Sequence, residues 1–146
     1  MWCMDPDDPT GCVTFLVRHA WLSMRSALAA ALDEHGLSVQ QYGTLLLVRE
    51  LPGRTVAEVG REVGTARQSA NELIAGMERA GLVERRPNPK DRRTQQVHLT
   101  PAGEQRLADA APAVRKVEAE LEASFSAADR AAVRTWLGHM IEAGEG

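Results

Sequence analysis

At 146 residues the chain has one domain's length, enough to bury a sizeable core. Aromatic residues are only 4% of it, alanine and leucine abound, and no run of about 20 apolar residues could span a membrane. This composition favours an all-helical body. The formal net charge is −3, so any attraction to phosphates must come from an uneven spread of charge.

Met1 to Thr10 is acidic and carries prolines. It lacks the basic start and apolar run of a signal peptide, so residues 1–12 read as a flexible lead and the protein as cytoplasmic. From Val13 to Glu34, apolar residues such as Leu16, Val17, Trp21, Met24, Leu28 and Leu32 recur at three and four, which predicts a long helix stopped by Gly36. Ser38 and Gln41 form a capping box that opens a second helix through Tyr42, Leu45 and Val48 to Glu50. Pro52-Gly53 then breaks the chain.

Thr55 and Glu58 make another capping box, and Val56, Val59 and Val63 follow on one face. Gly64 supplies the stop. Thr65 with Gln68 reads as a further capping box, which leaves only about a residue or two between the helices and forces them to cross at an angle. The next helix is expected to turn Ala66, Ala70, Leu73, Ile74 and Met77 inward. Arg67, Gln68, Ser69, Asn71 and Glu72 stay on its outer, leading end. Gly81 closes it. Leu82–Arg86 reads as a strand, Pro87-Asn88-Pro89 as a turn, Lys90–Arg93 as a cationic tip and Gln96–Leu99 as the returning strand. A helix pair followed by a basic hairpin is a winged helix-turn-helix, which sets one helix in a DNA major groove. From Thr55 to Arg93 eight cations oppose six acids, so this segment is +2 and the rest of the chain −5. That asymmetry turns one face toward phosphates.

Thr100-Pro101 opens a long helix, with threonine as cap and proline in the first turn. Leu107, Val114 and Leu121 are seven apart, a seam that wants a partner helix, and Pro112 should kink the helix or shift its start. Ser126 and Asp129 cap a last helix bearing Val133, Trp136, Leu137, Met140 and Ile141. The fold expected is mainly α. A winged helix-turn-helix over 38–100 is flanked by helices over 13–37 and 101–146, which form a dimerisation region. Two copies would present two recognition helices about one DNA turn apart.

Met77-Glu78-Arg79-Ala80-Gly81-Leu82-Val83-Glu84-Arg85 resembles the end of the recognition helix and first wing strand in the MarR (multiple antibiotic resistance regulator) family. Asp91-Arg92-Arg93 followed by Val97-His98-Leu99-Thr100-Pro101-Ala102-Gly103 looks like that family's wing signature, and Leu37–Tyr42 like the opening of its second helix. The resemblance runs from about Val13 to Ile141. It implies a dimeric transcriptional regulator, a repressor released by a small-molecule effector, on a pseudo-palindromic operator. It also implies that Asp91 holds Arg93 for the minor groove, whose negative potential attracts arginine. Two departures are Glu72 and Gly76, where the family often has arginine in the middle of the recognition helix.

Thr65, Arg67, Gln68, Ser69 and Asn71 are the candidates for the major groove, since their side chains can donate to base edges or phosphates. Arg54, Arg85, Arg86, Lys90 and Arg92 are the candidates for phosphates. The resemblance places an effector pocket between the dimer helices and the motif, with Trp21, Met24, Arg25 and Tyr42 as lining and Arg25 pairing with an anionic aromatic ligand. Cys3 and Cys12 offer an alternative, a redox-responsive regulator; a winged helix that binds a protein instead of DNA is another. The four histidines show no metal-ligand spacing, and no Ser/His/Asp set or phosphate-cradling glycine loop marks an enzyme, so neither a metal nor a cofactor is expected.

Overall fold

The computed structural model describes residues 12–145. Helix α1 runs Val13–Asp33 and α2 Val39–Glu50, followed by α3 Val56–Glu62 and α4 Arg67–Arg79. Strands β1 (Val83–Pro87) and β2 (Gln95–Leu99) form an antiparallel hairpin in which Val83 pairs with Leu99 and Pro87 with Gln95. Helix α5 (Pro101–Glu122) and helix α6 (Ala127–Gly144) complete the chain. The mainly α winged-helix architecture expected from the sequence is present. The lead expected over 1–12 lies outside the described residues except for Cys12, which is the buried N-cap of α1.

The boundaries have local causes. At α2, the Ser38 N–H donates to Gln41 Oε1 at 2.9 Å and the Gln41 N–H to Ser38 Oγ at 3.1 Å. Thr55 and Glu58 repeat this exchange at α3, at 2.8 and 3.3 Å. Ser126 accepts from the Asp129 N–H at α6, and Thr100 from the Gly103 N–H at α5. Gly64 and Gly81 take positive φ, at 69° and 76°, as residues just past a helix end do. Proline inside α5 neither shifts its start nor ends it: the helix runs through Pro112 to Glu122.

The turn between α3 and α4 differs from the expected one. It spans Val63 to Ala66, and the N-cap of α4 is Ala66, which supplies no side-chain hydrogen bond. The Thr65 N–H donates back to the Gly60 carbonyl at 2.9 Å, so Thr65 completes the stop of α3 instead of capping α4 with Gln68. Ala66, expected to point inward, is exposed for the same reason. Leu82 likewise belongs to the stop of α4: its N–H reaches the Met77 carbonyl at 3.0 Å, and the strand begins one residue later. Two glycines make close approaches possible. A Cβ on Gly60 would sit 2.7 Å from Ala70 Cβ, and one on Gly103 would sit 2.0 Å from the Leu82 carbonyl oxygen. The first lets α3 cross α4. The second lets α5 start against the base of the hairpin.

One core runs through the molecule. Leu32, Leu37, Leu45, Val48, Val59 and Ile74 share it with Met77, Val83, Val97, Leu107, Ala110 and Val114. The apolar seam of α5 therefore finds its partner within the chain along its first half, since Leu107 and Val114 are buried there while Leu121 is exposed. Apolar burial at about 25 cal/mol per Å² is what holds these elements together. By contrast α6 buries none of its described residues, and Val133, Trp136, Leu137, Met140 and Ile141 stand in solvent. On α1, Val13, Leu16, Trp21, Leu22 and Met24 are also exposed.

Candidate nucleic-acid interface

The hairpin is tied to the motif by a third extended segment. The Val97 N–H donates to the Arg54 carbonyl at 2.8 Å, and Thr55 pairs with Gln96 as an isolated antiparallel bridge. This link is invisible in the sequence, because Arg54-Thr55 is too short to read as a strand. It explains where Arg54 goes: the residue is half-buried beside the hairpin, with its backbone engaged.

On α4, Arg67, Gln68, Ser69, Asn71 and Glu72 are all exposed, as the helical period requires. The Asn71 side-chain amide donates to the Arg67 carbonyl at 2.9 Å, one turn back. Thr65 is half-buried in the preceding turn. A polar cleft of about 160 Å³ opens between the start of α4 and the hairpin. Arg67 and Asn71 line it from α4, and Arg85, Arg93 and Thr94 from the hairpin. Three arginines thus share one concavity.

Their settings differ. Arg85 is half-buried: one terminal nitrogen donates to the Asn71 carbonyl at 3.5 Å, and Nε lies 3.7 Å from Glu78 Oε1, too far for a hydrogen bond. Arg85, a candidate for phosphate, thus also reaches back to α4 from within the cleft. Arg86 is exposed and pairs with Glu84 on its own strand. Lys90 and Arg92 are exposed at the tip. Arg93 is the most open of the paired arginines, its side chain 90% exposed, yet it is oriented. Asp91 Oδ1 accepts from both its backbone N–H and its Nε. These bonds, the backbone one first, hold the Asp91 carboxyl below its ordinary pKa.

Asn88, expected in the turn, and Thr94, which carries no such signal, organise the tip further. Asn88 donates to Thr94 Oγ1 at 2.9 Å and accepts from the Lys90 N–H at 3.0 Å, while the Thr94 N–H donates to the Asp91 carbonyl at 3.1 Å. Asparagine between two prolines is a turn signal of this kind. Beside them His98 Nε2 lies 3.1 Å from Gln96 Oε1. Burial lowers its pKa, with Arg86 adding to this and Glu84 opposing it.

A second concavity lies between α1, α2 and the end of α3. This apolar groove of about 460 Å³ is walled by Trp21 of α1, by Val39, Gly43, Leu46 and Leu47 of α2, and by Val63. Of the four expected lining residues only Trp21 reaches it. Val39, Gly43, Leu46 and Glu50 form one stripe of α2, and Tyr42 lies a third of a turn away, packed against the core. Burial and Glu118 of α5 raise the Tyr42 pKa, with Arg49 and Arg115 opposing. Met24 and Arg25 are exposed and do not wall the groove. Cys12 is buried, its Sγ 3.2 Å from Thr14 Oγ1, and Cys3 lies outside the described residues. Among the described residues no group of three His, Cys, Asp or Glu could hold a metal ion.

A profile described as MarR family matches residues 35–94, from the end of α1 to the wing tip. Over these residues, which hold the helix pair and the wing, the chain is similar to the MarR family. MarR proteins are transcriptional regulators, not enzymes. A transcriptional regulatory protein for the hcr operon of Thauera aromatica is 30% identical over 95 residues, 65% of this chain and 57% of its own length. The chain thus spans little more than half of that relative. An HTH-type transcriptional repressor of Mycobacterium tuberculosis is 27% identical over 121 residues, covering 83% of this chain and 85% of its own. Among solved structures, the repressor CouR bound to a 23-mer DNA duplex is 25% identical with a TM-score of 0.83, over 90% of this chain and 94% of that one. CouR from Rhodococcus jostii RHA1 is also known bound to p-coumaroyl-CoA, at 25% identity and a TM-score of 0.78, over 88% and 90% of the two chains.

Proposed function

We propose that this chain is a homodimeric, sequence-specific DNA-binding regulator of the MarR family, a repressor released by a small-molecule effector. The observation that carries the DNA reading is the shared cleft: Arg67 and Asn71 from α4 face Arg85 and Arg93 from the wing. In this reading α4 enters the major groove of a pseudo-palindromic operator with Arg67, Gln68, Ser69 and Asn71 leading. Arg93, held by Asp91, enters the adjacent minor groove, and Arg86, Lys90 and Arg92 meet phosphates. Thr65 and Arg54, both half-buried, act at the edge of this surface through the backbone around them.

The exposed apolar faces of α1, α6 and the end of α5 support pairing of two copies, because a lone chain would leave them in water. Residues 13–37 and 101–146 then form the dimerisation region and 38–100 the DNA-binding region. Effector release is supported by the open groove beside α2 and by the p-coumaroyl-CoA complex of CouR. A regulator of this kind works in the cytoplasm, where its operator is; among the described residues no helix is long and apolar enough to cross a membrane. A gel shift on the DNA upstream of its own gene, repeated from low to moderate salt, tests the proposal. A steep loss of affinity with salt is expected, since each phosphate contact releases counterions. Absence of any shift at low salt would favour a winged helix that binds protein instead.

A further inference from the structure

We infer that the groove beside α2 takes a lipophilic cation, such as an aromatic amine or a quaternary onium ion, and not an anionic aromatic acid. This rests on the effector-responsive reading and names the chemistry of its ligand. The walls are apolar, and the two charged groups at them, Glu50 and Glu62, are both carboxylates. Among the described residues no lysine, arginine or histidine lines the groove. Arg25, the cation that could have received an acid, does not reach it.

The carboxylates are unequal. Glu50 is already paired with Arg49, whose terminal nitrogen lies 2.9 Å from its Oε1. Glu62, exposed at the end of α3, makes no such ion pair among the described residues. Glu50 is also the last residue of α2, so the carbonyl end of a twelve-residue helix meets the rim and adds negative potential. Trp21 offers the type of aromatic face that binds cations best. An anion would meet the unpaired Glu62 and a helix C-terminus, with Arg49 already engaged by Glu50. A cation with apolar arms would bury those arms on Val39, Leu46, Leu47 and Val63 and keep its charge near Glu62. Its position also matters: Glu62 and Val63 lead into the turn Gly64–Ala66 before α4, so an occupant presses on the segment that orients that helix.

The test uses the full chain, calorimetric titration with tetraphenylphosphonium and with salicylate, and a gel shift on the same preparation. Phosphonium binding without salicylate binding is expected. An exposed carboxylate contributes modestly, so Glu62→Gln should weaken phosphonium binding about twofold to fivefold, and Glu62→Lys more. Salicylate binding in preference to phosphonium, or phosphonium binding that ignores Glu62→Lys, overturns the assignment. Binding of neither compound, as when a second copy's helix fills the groove, also overturns it. The gel shift separates the two readings: DNA binding with salicylate preferred sinks the ligand class alone. Charge-dependent phosphonium binding by a protein that shifts no DNA supports the groove and sinks the regulator.

Discussion

Asp91 Oδ1 receives two hydrogen bonds from Arg93, one from its backbone N–H at 3.0 Å and one from its Nε at 3.2 Å. A single oxygen thus fixes both the turn and the direction of the guanidinium. Arg93→Ala should lower DNA affinity and flatten the salt dependence by about one unit of slope, while leaving stability within about 0.5 kcal/mol. Asp91→Ala separates orientation from charge. It makes the wing more positive, so plain attraction would strengthen binding; loss of orientation should weaken it. Fluorescence anisotropy on an operator duplex with thermal melts reads both.

Gly103→Ala should destabilise strongly. The added methyl would sit 2.0 Å from the Leu82 carbonyl oxygen, an atom also engaged by the Thr100 N–H at 3.1 Å. Forced repacking of this kind costs about 1–3 kcal/mol or more, and backbone cannot yield as a flexible side chain does. Urea unfolding should show a lower midpoint.

Gly76→Ala should do the reverse. Gly76 lies inside α4 without positive φ, and a Cβ there meets only the end of the Arg79 side chain at 3.7 Å. The gain should be about 0.5–1 kcal/mol from helix propensity. A destabilised variant in urea melts would show that the glycine has a packing role.

The Thr55–Glu58 box should carry a pH dependence. The Thr55 backbone N–H, then its hydroxyl and the nearby Arg54 and Arg61, lower the Glu58 pKa, with burial opposing. A depressed carboxyl contributes stability that is present above its unfolded pKa and lost as pH falls through the folded one. Glu58→Gln should therefore flatten the acid limb of a stability–pH curve. Thr55→Val should cost about 1 kcal/mol at neutral pH. An unchanged acid limb in Glu58→Gln would refute the assignment.

Much of this was legible because helix ends are local. Ser38, Thr55, Thr100 and Ser126 announce their helices within three residues, and Gly64 and Gly81 their stops. The Thr65–Gln68 pairing failed because two local signals competed for one residue, and the stop of α3 took it. Contacts between distant segments left no periodic trace: the Arg54–Val97 bond, the Gly60–Ala70 approach and the return of Arg85 to Asn71 are all of this kind. Tyr42 and Gly43 are neighbours in sequence, yet the α-helical period sends Tyr42 to the core and Gly43 to the groove, a split that residue type alone does not announce.

The bond from Val97 to the Arg54 carbonyl fastens the root of the wing to the body of the motif. The wing is thus tied to the segment that opens α3, and Arg85 ties it to α4. In a paired molecule, a shift in the distance between the two copies would therefore act on the major- and minor-groove contacts of a half-site together.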